Sequence, residues 1–436
     1  VEIQELAAEQ VVRRPAESRA EPPWRLAWRA LWTSRLVVLL AGVFGVLAIG
    51  RAPGTQGFDP AGLTEPFGYF GNLVVAPLAR WDSVWYLSIA QGGYGHELAR
   101  MQFFPLYPLA MRALGVPLRS DLVAGVVISL AAFAVALVLL HRLVRLEIGE
   151  EVARIAVWLV AFCPMAYYFS AVYSESLFLA LSLGCVLCAR SGRWALAGLL
   201  GGLAAAERAT GITLLVPVVI MFLYGPRTDA LPDRVRLPGS GWRRLLPTYR
   251  PRASLGWALL VPAGLGAFLL GLALSSGEGL APLQTHSLWF RHFAGPFGGV
   301  WDGTVAAWDG LRQLLHGPPP PSYFRAAGGD PLVVAGGNLV QFGFLVVGAA
   351  ALVGALRRLP VAYGAYALAS LAMPLSYPVT PQPLQSLSRY EAVLFPLFMW
   401  AAWWVWRRRL LTPAIATLAV LLGLFTAEFA TWRFVA

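Results

Sequence analysis

The sequence predicts an all-α polytopic membrane protein, and three observations lead there. Of its 436 residues, 58% are hydrophobic and only 13% charged, where a soluble chain carries about a quarter charged. Mean hydropathy is +0.62. Apolar runs long enough to cross a hydrocarbon core of roughly 30 Å recur along the whole chain. A backbone in lipid must satisfy its own hydrogen bonds, and these runs are too long for the short alternating strands of a barrel. The spans are therefore helices.

Taken in order, eleven spans are expected, at about 35–50, 121–140, 155–172, 175–189, 194–207, 210–225, 255–275, 332–356, 360–376, 390–406 and 410–430. The first follows an arginine-rich polar stretch and shows no small-residue cleavage site after it. It reads as a retained anchor, with residues 1–33 as a cytoplasmic tail. Residues 34–436 then form one transmembrane domain. Its outer loops are expected at about 51–120 and 276–331, and a basic cytoplasmic loop at about 226–254. The segment MQFFPLYPLAMRALGVP at 101–117 is apolar enough to span, but Pro105 and Pro108 interrupt it and it carries Arg112. Counting it as a crossing would invert everything downstream. It is expected instead as an interfacial or re-entrant helix on the outer face. The runs at 175–189 and 194–207 are short for full crossings, so a kinked or re-entrant course is open to them. Pro318 to Pro321 form a stiff extended spacer.

Arginine placement sets the orientation. All 34 basic residues are arginine, and with the N-terminus in the cytoplasm 23 of them, Arg35 among them, fall in inside loops. The cluster from Arg227 to Arg252 would be hard to place outside. The net charge of +11 therefore reports topology. Nucleic acid is not an expected partner, because no basic stripe is interleaved with exposed aromatics. Cys163, Cys185 and Cys188 all lie in apolar runs, and the Cys185–Cys188 pair lacks a second pair or flanking histidine to complete a zinc site. The sequence has no P-loop, no G-x-G-x-x-G and no D-x-D pair, so nothing resembles a nucleotide site.

In this orientation the chemically unusual residues share one side. The outer ends of the spans carry Trp81-Asp82, Tyr173-Ser174-Glu175-Ser176, Glu207-Arg208, the 276–331 loop and Arg389-Tyr390-Glu391. Ionisable groups at membrane depth face cavities and serve substrate or ion pathways. Asp82 is the candidate general base, since a carboxylate can take a proton from an attacking hydroxyl. The other reading makes W-D-S-x-W-Y an interfacial belt in which Asp82 caps a short helix, and the two are compatible. Arg208 and Arg389 suit bidentate phosphate binding. Alternatively they form ion pairs, Arg208 with Glu207 or Glu175 and Arg389 with Glu391. Glu175 is either a favourable acid at a helix start or a substrate-facing group opposite Asp82. His286 and His292, near Trp289, Phe290 and Arg291, are poorly spaced for a metal and read as a sugar- or lipid-contacting surface.

These residues also form a recognisable pattern. Trp81-Asp82 with Trp85, Tyr86 and Ile89-Ala90, then Phe103-Phe104-Pro105-Leu106-Tyr107-Pro108, then Tyr173-Ser174-Glu175-Ser176-Leu177-Phe178, resemble the PIG-V type of mannosyltransferase. Ser388-Arg389-Tyr390 with Phe395-Pro396 adds a weaker match. That family adds the second mannose in glycosylphosphatidylinositol assembly and has bacterial relatives. The resemblance implies a GT-C glycosyltransferase fold, a polyprenyl-phosphate-mannose donor and an inverting reaction, with Asp82 in the position of the usual base. It implies a lipid or cell-envelope glycan acceptor. Sugar nucleotides are absent outside a plasma membrane, which accounts for the missing nucleotide motifs. No cofactor or metal is expected, because a phosphate monoester can leave with arginine assistance alone. Trp81, Trp85, Tyr86, Phe104, Tyr107, Tyr173, Glu175, Glu207, Tyr390, His286 and His292 are expected to line the substrate approach. A monomer in the plasma membrane, in contact with membrane lipids, is expected. The rival from another class is a transporter or flippase of lipid-linked sugars, which would show internal repeats and polar groups at the bilayer midplane.

Overall fold

The computed structural model describes residues 22–232, 246–317 and 330–433. The tail through residue 21, Arg234, Arg236, Arg243, Arg244 and the Pro318–Pro321 spacer lie outside the described residues. Regular structure among the described residues is helical, with one isolated antiparallel bridge between Arg291 and Val379.

The first helix, α1, spans Pro23–Phe44 and continues as a π-helical turn over Gly45–Ile49. Proline at its first turn removes an N–H that had no helical partner to lose. The helix begins well before residue 35 because the exposed Arg25 and Arg29 lower the hydropathy of its first turns without breaking its periodicity. Trp24, Trp28 and Trp32 stand exposed four residues apart, as interfacial anchors do. Three short helices follow: α2 (Tyr69–Val75), α3 (Ser83–Gly92) and α4 (Leu106–Leu118). The segment 101–117 begins at the end of a 3-10 turn (Leu98–Gln102) and is α-helical only from Leu106, and the prolines at 105 and 108 sit at the start of that α-helix, where they are tolerated.

The long α5 (Asp121–Glu147) is capped by Ser120, whose hydroxyl accepts from the Val123 N–H at 3.2 Å. Its successor α6 (Glu150–Phe162) corrects the continuous span expected at 155–172. Pro164 cannot continue the ladder, so the chain breaks into a 3-10 turn at Ala166–Phe169 before α7 (Glu175–Arg190). Arg35 fills that break. Its guanidinium donates to Ala166 O at 2.6 Å, the Ser170 hydroxyl at 2.6 Å and Ala161 O at 3.2 Å, and lies over the Phe133 ring. Arg35 is therefore buried inside the bundle rather than standing in a cytoplasmic loop. It supplies donors to carbonyls that the broken helix leaves free.

The remaining helices are α8 (Trp194–Ala205), α9 (Leu215–Tyr224), α10 (Leu260–Ser276), α11 (Ala281–Gln284) and α12 (Gly298–His316). After them come α13 (Pro331–Arg358), α14 (Val361–Ser376), α15 (Leu387–Ala392), α16 (Phe395–Arg408) and α17 (Leu411–Ala430). Among the described residues, five segments are long and apolar enough to cross a membrane: Pro23–Ile49, Asp121–Glu147, Ala253–Ser276, Pro331–Arg358 and Leu411–Ala430. The chain is a multi-pass membrane protein. The other six expected spans are shorter or broken, as at Val393–Leu394 between α15 and α16.

Close helix packing holds the bundle. In it α5 lies against α7, α7 against α8, α1 against α17, and α6 against α16. Lipid offers no hydrophobic drive between helices, so small residues that let backbones touch carry the association. The α8–α10 pair shows this directly. A Cβ on Gly264 would overlap the backbone of Gly202, and one on Gly202 would overlap the carbonyl of Leu260. The main core runs through α5, α6, α7 and α16. A second apolar cluster, around Tyr86, Phe103, Tyr107 and Val172, ties α3 and α4 to the turn that precedes α7.

Candidate active site

The site is assembled where four chain segments end. Arg80, fully buried, fixes the approach to Asp82. Its Nε donates to Ala430 O at 3.1 Å, its Nη1 meets Glu65 at 3.0 Å, and its guanidinium lies over Trp432. Burial lowers this guanidinium to about 10, against the opposing pull of Glu65. Trp81 next to it adopts a left-handed conformation, φ +53°, and packs its ring on Phe58 and Trp432.

Asp82 occupies the N-cap position of α3 but makes no capping bond with its side chain. Its backbone N–H donates to the Tyr173 hydroxyl at 3.1 Å, and that hydroxyl donates onward to Arg80 O at 3.1 Å. The carboxylate is thereby left for another partner, Arg389. The Nη1 of Arg389 donates to Asp82 Oδ2, and its Nε donates to Glu175 Oε1. The same Glu175 oxygen accepts from Arg208 Nη1 at 2.7 Å. Asp82, Arg389, Glu175 and Arg208 thus form one relay of alternating charge, contributed by α3, α15, α7 and the turn after α8.

Exposure separates the two acids. The Asp82 side chain is 27% exposed and that of Glu175 is 0%. Asp82 is the carboxylate a substrate can reach, whereas Glu175 holds two guanidinium groups from beneath. The expectation that Glu175 faces substrate is corrected accordingly. Aromatic rings carry the arginines from the other side. Arg389 lies over Tyr173 at 4.7 Å and Tyr168 at 5.3 Å, and Arg208 over Tyr390 at 5.2 Å and Phe178 at 5.7 Å. Glu391, the sequence neighbour expected to pair with Arg389, is buried and packs instead against Gly348 on α13. Adjacent residues of a helix point in different directions. Glu207 likewise does not pair with Arg208. It is buried, and neither carboxyl oxygen has a hydrogen-bond partner among the described residues.

Other expected residues fall into distinct places. Trp85 stacks on Phe103 and meets the edge of Trp289, both at 5.8 Å, making an aromatic wall beside Asp82. The hydroxyl of Tyr86 donates to Ser174 at 3.0 Å, and burial together with the nearby Glu175 pushes it well above the ordinary phenol range. Tyr107 is fully buried, with its hydroxyl engaged by Gly125 O and Ser129. Phe104 packs on Phe268 at 4.6 Å in a separate cluster. Neither Tyr107 nor Phe104 lines the chamber, because folding has already used their polar and apolar surfaces. His286 stacks on Tyr377, and burial together with Arg291 lowers its ring below the usual imidazole value. The His292 ring is exposed. Neither histidine joins the relay. Arg80 and Tyr168 are structural members that sequence reasoning missed, while Trp289, read there beside the two histidines, packs on Trp85 and Phe103. An arginine directly before Trp81-Asp82 was the one available signal.

Geometry of this kind defines a class: a helical multi-pass membrane protein with a largely buried, mixed-charge cluster in which the Asp82 side chain remains partly exposed. Residues 63–224, which include Asp82, Glu175, Glu207 and Arg208, match the model of the mannosyltransferase (PIG-V) family. The chain is 30% identical over 181 residues to GPI mannosyltransferase 2 of Drosophila pseudoobscura pseudoobscura, covering 36% of this chain and 39% of that relative. It is 32% identical over 192 residues to GPI alpha-1,6-mannosyltransferase 2 of Rattus norvegicus, covering 41% and 38%. The chain thus spans about two fifths of the length of the curated relatives it matches. Among solved structures it is similar to the Archaeoglobus fulgidus oligosaccharyltransferase in complex with Zn and sulfate. That match has TM-score 0.40 and 14% identity, over 92% of this chain and 53% of that one. The same enzyme, AglB, in complex with an inhibitory peptide and a dolichol-phosphate, gives TM-score 0.38 and 13% identity, over 93% and 55%.

Proposed function

We propose that the chain is a GT-C-type membrane glycosyltransferase that transfers mannose from polyprenyl-phosphate-mannose to a lipid-linked or cell-envelope glycan. The observation that carries this reading is the relay itself. It sets one accessible carboxylate, Asp82, beside Arg389 and, through buried Glu175, beside Arg208. Such a reaction needs a base and a phosphate cradle close together, and this pairing of groups supports both roles. The family match over 63–224 supports the choice of sugar.

In this mechanism Asp82 takes the proton from the acceptor hydroxyl as its oxygen attacks the anomeric carbon. The carbon–oxygen bond to phosphate breaks, and its electron pair leaves with the polyprenyl phosphate. Attack and departure on opposite faces invert the anomeric centre. Arg389 and Arg208 hold the departing phosphate, with their spacing set by Glu175. Because Arg389 holds Asp82, its turn toward a donor phosphate also frees the base. Engagement of donor and release of the base become one event. Trp85, Phe103 and Trp289 offer ring faces to sugar or prenyl carbon. The guanidinium groups supply the positive charge at the leaving group, so transfer is expected to proceed in the presence of a chelator.

The reaction belongs on the extracytoplasmic face of the plasma membrane, with a cytoplasmic N-terminus and a single transmembrane domain acting as a monomer. The test incubates lipid-reconstituted protein with labelled polyprenyl-phosphate-mannose and native membrane lipids, then identifies the labelled product by mass spectrometry. Transfer of one hexose to a lipid or glycan is the expected result. Label that remains wholly in the donor contradicts the proposal.

A further inference from the structure

The two arginines of the relay are matched in charge by Asp82 and Glu175, so the relay alone carries no surplus for an anion. A third guanidinium supplies it. Residues 290–294 run along 376–380: His292 N–H donates to Pro378 O at 3.3 Å, Ala294 N–H to Ser376 O at 3.1 Å, and Thr380 N–H to Phe290 O at 3.2 Å. Arg291 forms the antiparallel bridge to Val379, and its Nη1 donates to Tyr377 O at 3.0 Å. This strap is bound to the site at both ends. Trp289 packs against Trp85 and Phe103 beside Asp82, with its indole N–H buried and unpartnered. On the other strand, the chain beyond Thr380 leads into α15, which carries Arg389 and Tyr390. Arg208 lies over the Tyr390 ring at 5.2 Å, and Arg291 and Arg389 act electrostatically on the same phenol. No carboxylate among the described residues forms an ion pair with Arg291.

We propose that Arg291 is a third phosphate-binding residue, which meets the non-bridging oxygens of a lipid phosphate held beside Tyr390 by Arg208 and Arg389. The inference rests on the donor class proposed above and adds the residue that favours departure. When the bond to the anomeric carbon breaks, a singly charged phosphodiester becomes a phosphate monoester that carries a second negative charge. The proton released by the acceptor goes to Asp82. The surplus positive charge of Arg291 offsets that second charge, and its attraction is larger for the product-like state than for the bound donor.

The test measures binding of farnesyl monophosphate to the full chain in lipid nanodiscs at about pH 5.5 and about pH 8, on either side of the second phosphate ionisation near 6. Wild type is expected to bind more tightly at the higher pH. Arg291→Gln is expected to lose about tenfold or more in affinity at the higher pH and less at the lower, as a charge-assisted hydrogen bond to a dianion requires. Arg291→Lys keeps the charge but changes the fork that holds Tyr377 O, so it should retain much of the pH-dependent gain. If Lys fails as fully as Gln, the role is structural and the proposal falls. Arg291→Gln binding like wild type at both pH values overturns Arg291 alone. A wild type that ignores the probe at both pH values overturns the phosphate-donor reading as well.

Discussion

At the scale of single residues, the account turns on partners that sequence neighbours do not disclose. Asp82, Arg208 and Arg389 were legible as candidates because an acid and two arginines at helix ends are costly in a membrane and so mark a cavity. Their pairing was not legible. Glu391 and Glu207 stand next to the arginines in sequence, yet Arg389 reaches Asp82 and Glu175, and Arg208 reaches Glu175. The reason is geometric: Arg389 and Glu391, two apart on α15, point about 200° away from each other, and Glu207 and Arg208 lie in the turn after α8, where the extended backbone of Arg208 sends the two side chains apart. Arg389→Ala and Arg208→Ala are expected to raise the apparent KM for the polyprenyl-phosphate donor by about tenfold to a hundredfold, the worth of a charge-assisted hydrogen bond. Steady-state transfer assays over a range of donor concentrations check this. Arg389→Lys should recover little, because a single ammonium cannot serve Asp82 and Glu175 as the guanidinium fork does. A donor KM unchanged in both alanine variants would leave the phosphate cradle without support.

At the scale of elements, hydropathy located helices well and their interruptions poorly. The long spans at Asp121–Glu147, Pro331–Arg358 and Leu411–Ala430 follow the apolar runs closely. The break after α6 does not, because hydropathy alone reads through Pro164 to the apolar AYYF that follows. That break matters for the site, since the turn it creates delivers Tyr168, Tyr173 and Glu175 to the chamber. Arg35 is the matching surprise. Positive charge in a span was counted as loop, but a guanidinium with three acceptors within 3.2 Å is a buried plug for free carbonyls. Arg35→Met keeps the apolar stem and removes these bonds. It is expected to destabilise the folded protein by about 3 kcal/mol, seen as a lower melting temperature in detergent. An unchanged melting temperature would show that the break holds without it. In the α8–α10 contact, Gly202→Val should be similarly damaging, because a side chain there would overlap the Leu260 carbonyl.

For the molecule as a whole, composition and arginine placement carried the membrane class and the proposed sidedness, while the meeting of α3, the 163–174 turn, Arg208 and α15 in one charged relay needed the tertiary structure. Sidedness has its own check. Thr228 and Ser287 are both exposed, so cysteines placed there can be labelled with a membrane-impermeant maleimide in intact cells. Ser287→Cys is expected to react from outside and Thr228→Cys only after permeabilisation; the reverse would turn the proposed topology over. The central claim is that the chamber does chemistry through its one accessible carboxylate. It is tested most directly by the rate of mannose transfer from polyprenyl-phosphate-mannose by Asp82→Asn in reconstituted membranes, beside wild type and with melting temperatures measured on both. Loss of roughly a hundredfold or more with the fold intact is the predicted result, the usual contribution of a general base. Transfer at the wild-type rate by a folded Asp82→Asn protein would contradict it.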